Sequence, residues 1–408
     1  MKILVVHNTY QERGGEDAVV ATEEQILAED GHTVVRYRRG NDELKIAHPL
    51  RIALAGIETV WSSASNRELY RLIFLERPDV AHFHNTFPLI SPAAYYACQD
   101  AGVPVVQTLH NYRLLCPAAT FFRDGRVCES CMGRNVPWPG VVHGCYRDSR
   151  SATSAVSGML TVHRALQTWN KKVDVYIALS EFARQKFIEG GLPPERIVVK
   201  QNFVHRAPEP KNGEGQYALC VGRLSEEKGI RVLLSAWSKL AASVPLRIAG
   251  DGPLHEEGVS EITRRRLKQV DFLGRLPVED IFRWMRGARF LVFPSVCFEN
   301  FPLAIAEAFA CGLPVIASRL GAMAEIVADG KTGLHFTAGD DSDLAVKVDW
   351  AWMHPEEMRA MGQAARAEYE AKYTAEHNYQ QLMSIYGRAI AERQKSGNLL
   401  RTARTPAS

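Results

Sequence analysis

A break near the middle constrains the fold of this 408-residue chain more than any other feature. Arg206–Gln216, reading RAPEPKNGEGQ, is rich in Pro, Gly and charge and has no apolar periodicity, which is the composition of a linker. The same pattern runs on both sides of it, with short apolar stretches of strand type alternating with longer helix-compatible ones. Before the break the strand candidates are Ile3–Val6, Thr33–Tyr37, Val80–Phe83, Val103–Leu109, Val173–Leu179 and Ile197–Val199. Helical stretches lie between them at Ala18–Ala28 and around Glu68–Glu76, Pro92–Ala101, Ala152–Thr168 and Phe182–Ile188. After the break the pattern restarts, with strands at Tyr217–Val221, Leu246–Ala249 and Val270–Leu273 and helices at Ile230–Leu240 and Val278–Met285. Alternation of this kind predicts an α/β fold in which a parallel sheet carries helices on both faces. The length suits two such domains of about 200 residues each. Two doubly wound domains would leave a cleft between the carboxyl ends of their strands, where ligands of such folds bind.

Composition narrows the class. Hydrophobic content of 46% and charged content of 23% describe a globular protein. A net charge of +3 is too small to argue for nucleic acid as a partner. The basic clusters Arg36–Arg39 and Arg264–Lys268 read as solvated faces, with docking to anionic lipid heads as a second reading. After Lys2, the apolar run ILVV gives way at once to His7-Asn8-Thr9, far short of a signal peptide's core. No stretch approaches the roughly 18 apolar residues of a transmembrane helix. The expected location is therefore the cytoplasm, with peripheral contact at the inner face of the membrane as the nearest variant. Eight cysteines in that compartment are not expected to form a disulfide framework.

The stretch Ser295–Gly321, SVCFENFPLAIAEAFACGLPVIASRLG, carries the strongest functional signal. It follows an apolar strand-type run, Ala288–Pro294, and contains another, Leu313–Ala317. Pro302 suits the first position of a helix, Leu303, Ile305, Ala306, Ala308 and Phe309 continue it, and Gly312 closes it. Glu299 then sits in the loop before the helix and Glu307 on it. A helix N-terminus with free N–H groups favours an anion. Carboxylates on either side of such a site suit a ligand with phosphate in the middle and hydroxyls at both ends, the layout of a nucleotide-sugar.

The second half opens with Gly222-Arg223-Leu224 and Glu227-Lys228-Gly229 in its first strand-to-helix turn. Glycine permits close backbone approach, Arg223 can fork onto phosphate oxygens, and Lys228 can act as a point charge beside them. Gly250-Asp251-Gly252-Pro253 reads first as a sharp structural turn, and Glu325 as a weaker candidate facing the ligand.

These residues carry a resemblance. Gly222-Arg223-Leu224, Lys228-Gly229, Gly250-Asp251-Gly252-Pro253, the Glu299–Glu307 pair and the pattern Gly321…Glu325-Ile326-Val327…Gly330…Gly333-Leu334 occur in the order seen in family-4 retaining glycosyltransferases. The likeness covers most of Tyr217–Thr337 and extends more loosely to Gly14-Gly15 and His110. It implies a GT-B architecture: an N-terminal acceptor-side domain to residue 205, a linker over 206–216, a nucleotide-sugar domain over 217–372, a helix over 373–395 crossing back, and a tail. It further implies that Glu299 holds hydroxyls of the donor sugar, Glu307 the ribose, and Arg223 and Lys228 the diphosphate of a UDP- or GDP-sugar. Backbone N–H groups at Asn300, Phe301 and Leu303 would approach sugar and phosphate, with Gly14-Gly15 at the diphosphate and His110 near the reacting carbon. The sequence Asn300-Phe301-Pro302 departs from commoner members, where Gly often follows the first glutamate. The resemblance also implies retention of configuration during transfer to a glycan or lipid-linked acceptor. Metal is not needed on this reading, since two cations serve the diphosphate and no Asp-x-Asp motif lies in a loop that would hold one.

Cys116, Cys128, Cys131 and Cys145 fall in one loop-like segment, Asn111–Arg150, and Cys128-Glu129-Ser130-Cys131 has the spacing that lets two thiolates face one tetrahedral metal. A structural zinc, with His143 as a substitute ligand, is weighed against four free thiols packing an insertion. Two rival functions remain at this point, a nucleotide-sugar epimerase of the same fold and a zinc-knuckle module for nucleic acid. The first would need acid–base groups over the sugar ring, and the second a strongly basic domain.

Overall fold

The computed structural model describes residues 1–11, 14–44, 49–211 and 213–402; Asn212 of the linker and residues 403–408 of the tail lie outside them. The chain divides into two compact units, one made of Met1–Ala119, Glu129–Lys200 and the chain from Asn378, the other of Thr120–Cys128 and Gln201–His377. Both are α/β, each with a six-stranded sheet whose strands are all parallel.

The first sheet runs, edge to edge, Thr33–Gly40, Lys2–Thr9, Val80–Phe83, Val105–Leu109, Val175–Ala178 and Ile197–Val199. Its four central strands are largely apolar because helices cover both faces, and Ile3, Leu4, Val6, Val80, Val105 and Ile177 are fully buried or nearly so. The strand order reverses between Lys2–Thr9 and Val80–Phe83, so the crevice of this sheet opens beyond Thr9 and Phe83, with the end of Val105–Leu109 on the next strand. The helix Gly15–Glu29 starts there, where Asp17 accepts a hydrogen bond from the Gly14 N–H at 3.0 Å. Two helices, Pro49–Val60 and Ser63–Glu76, follow the second strand. The sequence reading missed the first and the opening of the second, because Ser62, Ser63 and Ser65 look like loop; Ser62 Oγ in fact caps the helix by accepting from the Ser65 N–H.

The second sheet runs Val270–Gly274, Leu246–Ala249, Ala218–Val221, Phe290–Phe293, Val315–Ser318 and Gly333–Phe336, the order 3-2-1-4-5-6 of a dinucleotide-type fold. Its core gathers Trp237, Leu233, Ile248, Phe290, Val292 and Phe336, and the Trp237 indole donates to the Val244 carbonyl at 3.0 Å. The last strand is not among the strands expected from the sequence. It begins at Gly333, whose missing side chain lets the strand approach its neighbour: a Cβ there would lie 1.9 Å from the Val315 carbonyl oxygen.

The terminal helix is Ala375–Thr402, two residues later and longer than expected. Tyr373 instead ends the preceding helix, Pro355–Lys372, and packs its ring on Phe301 in the second unit. From Asn378 the helix belongs to the first unit, where Tyr386 is fully buried and Arg393 pairs with Asp174 at 2.5 Å.

Candidate functional site

In the second unit the strand order reverses between Ala218–Val221 and Phe290–Phe293, and the loops leaving these two strands bring the sequence motifs together. Lys228 Nζ lies 2.6 Å from Glu299 Oε1 although the residues are 71 apart in sequence. The Ser295 hydroxyl donates to the same carboxylate at 2.7 Å and is placed to contact the Glu227 carbonyl at 3.0 Å. The Val296 N–H also donates to that carbonyl, at 2.9 Å, which stitches the two loops along their backbones. Gly229 makes this possible: its φ is +73°, and a Cβ would sit 1.9 Å from the Pro294 carbonyl oxygen. Burial disfavours the Lys228 charge, but Glu299 and its neighbours overcome this and hold the ammonium above its usual pKa range. Arg223 projects exposed from the same turn. Gly222 and Gly250 take φ of +157° and +148°, and a Cβ on Gly250 would meet the Gly222 carbonyl oxygen at 1.8 Å, so Gly250-Asp251-Gly252-Pro253 is a structural turn that supports the first loop.

The helix after this loop spans Leu303–Ala310, with Pro302 just outside it as the capping residue, one place earlier than expected. Leu303 is its first residue, Asn300 and Phe301 are buried in the loop before it, and Glu307 lies on it. Burial raises the Glu307 carboxyl from its ordinary value to about 7. Glu325 is exposed on the short helix Ala322–Ile326. The chain does contain an Asp-x-Asp run, Asp341-Ser342-Asp343, and the structure gives it structural work. Asp341 pairs with Lys239 at 2.6 Å and Asp343 accepts from the Thr337 N–H at 2.7 Å, at the start of the helix Asp341–Met353.

The first unit gathers different chemistry at its own switch point. His110, which directly follows Val105–Leu109, takes its Nε2 to within 2.9 Å of His84 Nδ1. His82 is buried beside them and is bonded at both ring nitrogens, to Tyr386 and to Thr108, each at 2.8 Å. Burial depresses all three histidines, His82 to about 4 and His84 and His110 well below the usual range, so the cluster is neutral near pH 7. Gly14 caps and Gly15 opens the helix Gly15–Glu29, and both are exposed. Glu16 follows; burial raises its carboxyl to about 8 against the opposing hydrogen bond from Tyr10, at 3.0 Å. Asn111 reaches the Tyr10 hydroxyl at 3.3 Å. His84, Glu16, Tyr10 and Asn111 were not picked out from the sequence. The signal was present in His82-Phe83-His84-Asn85, where alternation along a strand end brings His84 to the same edge as His110.

Of the four cysteines, Cys116, Cys131 and Cys145 lie in the first unit and Cys128 in the second, and none of the four is joined in a disulfide. Cys116 and Cys131 are buried, and the Cys131 sulfur contacts the Pro137 carbonyl at 3.8 Å. Among the described residues, the group of three metal-capable side chains with ligand atoms within 4.8 Å of one another is Glu23, His82 and His84, which includes no cysteine. No helix among the described residues is long and apolar enough to cross a membrane.

Comparison with known proteins agrees with this arrangement. Residues 13–207 match the model of Glycosyltransferase Family 4, and residues 201–368 match that of Glycosyl transferases group 1. An uncharacterized glycosyltransferase of Methanocaldococcus jannaschii is 27% identical over 213 residues, 52% of this chain and 59% of the relative. The D-rhamnosyltransferase WbpZ of Pseudomonas aeruginosa is 31% identical over 162 residues, 39% of this chain and 42% of the relative. The chain thus spans about half the length of these curated relatives. HepE of Anabaena, solved with UDP and glucose, superposes with a TM-score of 0.69 at 19% identity, covering 94% of this chain and 98% of that one, which establishes the shared fold. With one family model across its first half and the other across its second, the chain belongs to the family-4, group 1 glycosyltransferases and has their two-domain GT-B fold.

Proposed function

We propose that the protein is a retaining, metal-independent glycosyltransferase that moves a sugar from a nucleotide-sugar to a hydroxyl of a glycan or lipid-linked acceptor, in polysaccharide or glycoconjugate synthesis. The observation that carries this reading is the Lys228–Glu299 pair at the switch point of the second sheet, beside the exposed Arg223. Arg223 and Lys228 supply two positive charges for a diphosphate, and Glu299, 2.6 Å from Lys228, accepts from sugar hydroxyls. Glu307 takes the ribose, and the N–H groups of Asn300, Phe301 and Leu303 approach sugar and phosphate. On the first unit, Gly14-Gly15 approaches the diphosphate and His110 the sugar. HepE, which shares the fold, was solved with UDP-glucose, and this supports a nucleotide-sugar as donor.

In the reaction the bond from the anomeric carbon to phosphate oxygen breaks, and a bond to the acceptor oxygen forms on the same face. The acceptor proton passes to an oxygen of the departing diphosphate, whose charge Arg223 and Lys228 stabilise. Glu299 and Glu307 recognise substrate; they are not a hydrolase carboxylate pair. An epimerase is disfavoured because the groups gathered here are cations and hydroxyl acceptors.

A panel of nucleoside diphosphates and nucleotide-sugars tested by thermal shift checks the reading, since a ligand that binds only the folded state raises its melting temperature. No shift with any member would overturn it. A structural zinc at Cys116, Cys128, Cys131 and Cys145 is a separate proposal resting on their spacing; metal analysis of freshly purified protein tests it, with about one equivalent expected. Cytoplasmic location and peripheral membrane contact are likewise proposals, checked by fractionation.

A further inference from the structure

The first unit buries an ion pair behind its histidines. Lys200 Nζ lies 2.7 Å from Glu23 Oε1, with both side chains almost fully buried. The other carboxylate oxygen, Glu23 Oε2, has no hydrogen-bond partner and lies 3.7 Å from His84 Nε2. On its opposite side His84 meets His110, Nδ1 to Nε2, at 2.9 Å. His82 cannot take part in this chain, because Tyr386 and Thr108 occupy both of its nitrogens. It packs against His84 instead, with ring centroids 4.1 Å apart and the rings tilted by 38°.

A neutral imidazole carries one ring proton, and its position is set by what the two nitrogens face. The unpartnered carboxylate oxygen of Glu23 draws the His84 proton to Nε2. His84 Nδ1 is then a lone pair and accepts from His110, so His110 carries its proton on Nε2. The opposite tautomers would aim a His84 lone pair at Glu23 Oε2 and leave that carboxylate oxygen, the one Lys200 does not reach, facing no donor.

We propose that Glu23 and His84 form a positioning pair that fixes His110 as its Nε2–H tautomer and so presents the lone pair of His110 Nδ1 to a hydroxyl of the bound substrate. This deepens the reading of His110 given above and rests on it for the identity of the substrate. Burial, which keeps His84 and His110 uncharged, is a condition of the arrangement. His110 thus accepts a hydrogen bond from a sugar hydroxyl and cannot donate one at that position. A donor sugar bearing a hydroxyl there is preferred over its deoxy or O-methyl analogue, which offers no proton.

The test begins with ring nitrogen NMR of the whole, substrate-free protein labelled at histidine, near pH 7.5. The account expects His110 with its proton on Nε2 and His84 with its proton on Nε2. A His110 proton on Nδ1 would overturn the pair's role whatever the enzyme transfers. His84→Leu removes the acceptor, and it should abolish the tautomer preference at His110 and lower kcat about tenfold or more, with the KM for nucleotide-sugar little changed. His84→Asn returns an acceptor near the Nδ1 position and should recover most of the tautomer preference and of the lost rate. An unchanged His110 tautomer in His84→Leu would also sink the proposal. Absence of transfer with every nucleotide-sugar, beside the expected tautomers, would strike the glycosyltransferase reading and its substrate but leave the positioning pair intact.

Discussion

The two sheets place their functional candidates alike, beyond the carboxyl ends of strands where the strand order reverses, yet fill those places with opposite chemistry. In the second unit the groups are charged and partly open to solvent, and the Lys228 side chain is 30% exposed. In the first unit they are neutral: His82 and His84 are buried, and beside them His110, Tyr10 and Glu16, whose carboxyl is raised to about 8, are half-buried. On the proposed function the difference suits two tasks. A diphosphate needs fixed positive charge within reach of water, which delivers it. A sugar ring near the reacting carbon needs directed, uncharged hydrogen bonds in a place that excludes water.

The comparison can be broken most forcefully at Lys228. Lys228→Ala should cut transfer by roughly 10- to 150-fold, the loss expected for one charge-assisted contact. It also leaves Glu299 without its cation, so the melting temperature is followed alongside steady-state rates. Rates within twofold of wild type would place the diphosphate elsewhere. Glu299→Gln keeps the shape and removes the charge. It should lower the rate by a smaller factor and alter preference among donor sugars while sparing free nucleoside diphosphate, as competition between nucleotide-sugars would show.

Glu307 sharpens the contrast through pH. Burial raises its carboxyl from 4.5 to about 7, so the folded state holds this proton more tightly than the unfolded state does. Its contribution to stability is therefore greatest at low pH and is lost as pH rises from about 4.5 through about 7. Ribose hydroxyls favour the ionised carboxylate, so nucleotide affinity should weaken as pH falls below about 7, by up to tenfold per unit. Calorimetry on wild type and Glu307→Gln isolates this from phosphate ionisation, and a parallel pH slope in the two proteins would remove Glu307 from the ribose. The smallest effect is expected from magnesium: mild chelation should leave transfer essentially unchanged, and a complete loss restored by magnesium would show that the two cations do not suffice.

Legibility in the sequence followed the same divide. The loops that carry Lys228 and Glu299, and the helix that carries Glu307, were readable because tight turns and a helix start constrain the residues there. Gly229 and Gly250 are dictated by carbonyl oxygens less than 2 Å from where a Cβ would be. The strands were readable because both sheets are covered on both faces, which makes their residues continuous apolar runs. The first-unit network was mostly hidden. Glu23 lies 177 residues from Lys200 and 61 from His84 along the chain, and only the packing of the helix Gly15–Glu29 against the sheet brings them together. Ser295 was overlooked because a serine in a loop says nothing until its hydroxyl is seen on Glu299. The Asp341-Ser342-Asp343 run shows the reverse case, a pattern that resembles a metal site and serves as a helix start.

The central claim is that the second unit binds the diphosphate through Arg223 and Lys228. Calorimetric titration of UDP and GDP into wild type and into the Arg223→Ala/Lys228→Ala double variant tests it most directly, because it needs neither acceptor nor sugar. The account predicts binding of at least one of the two by wild type and a loss of affinity beyond about 100-fold in the double variant, with cooperative unfolding retained. Equal affinity in the two proteins would contradict it.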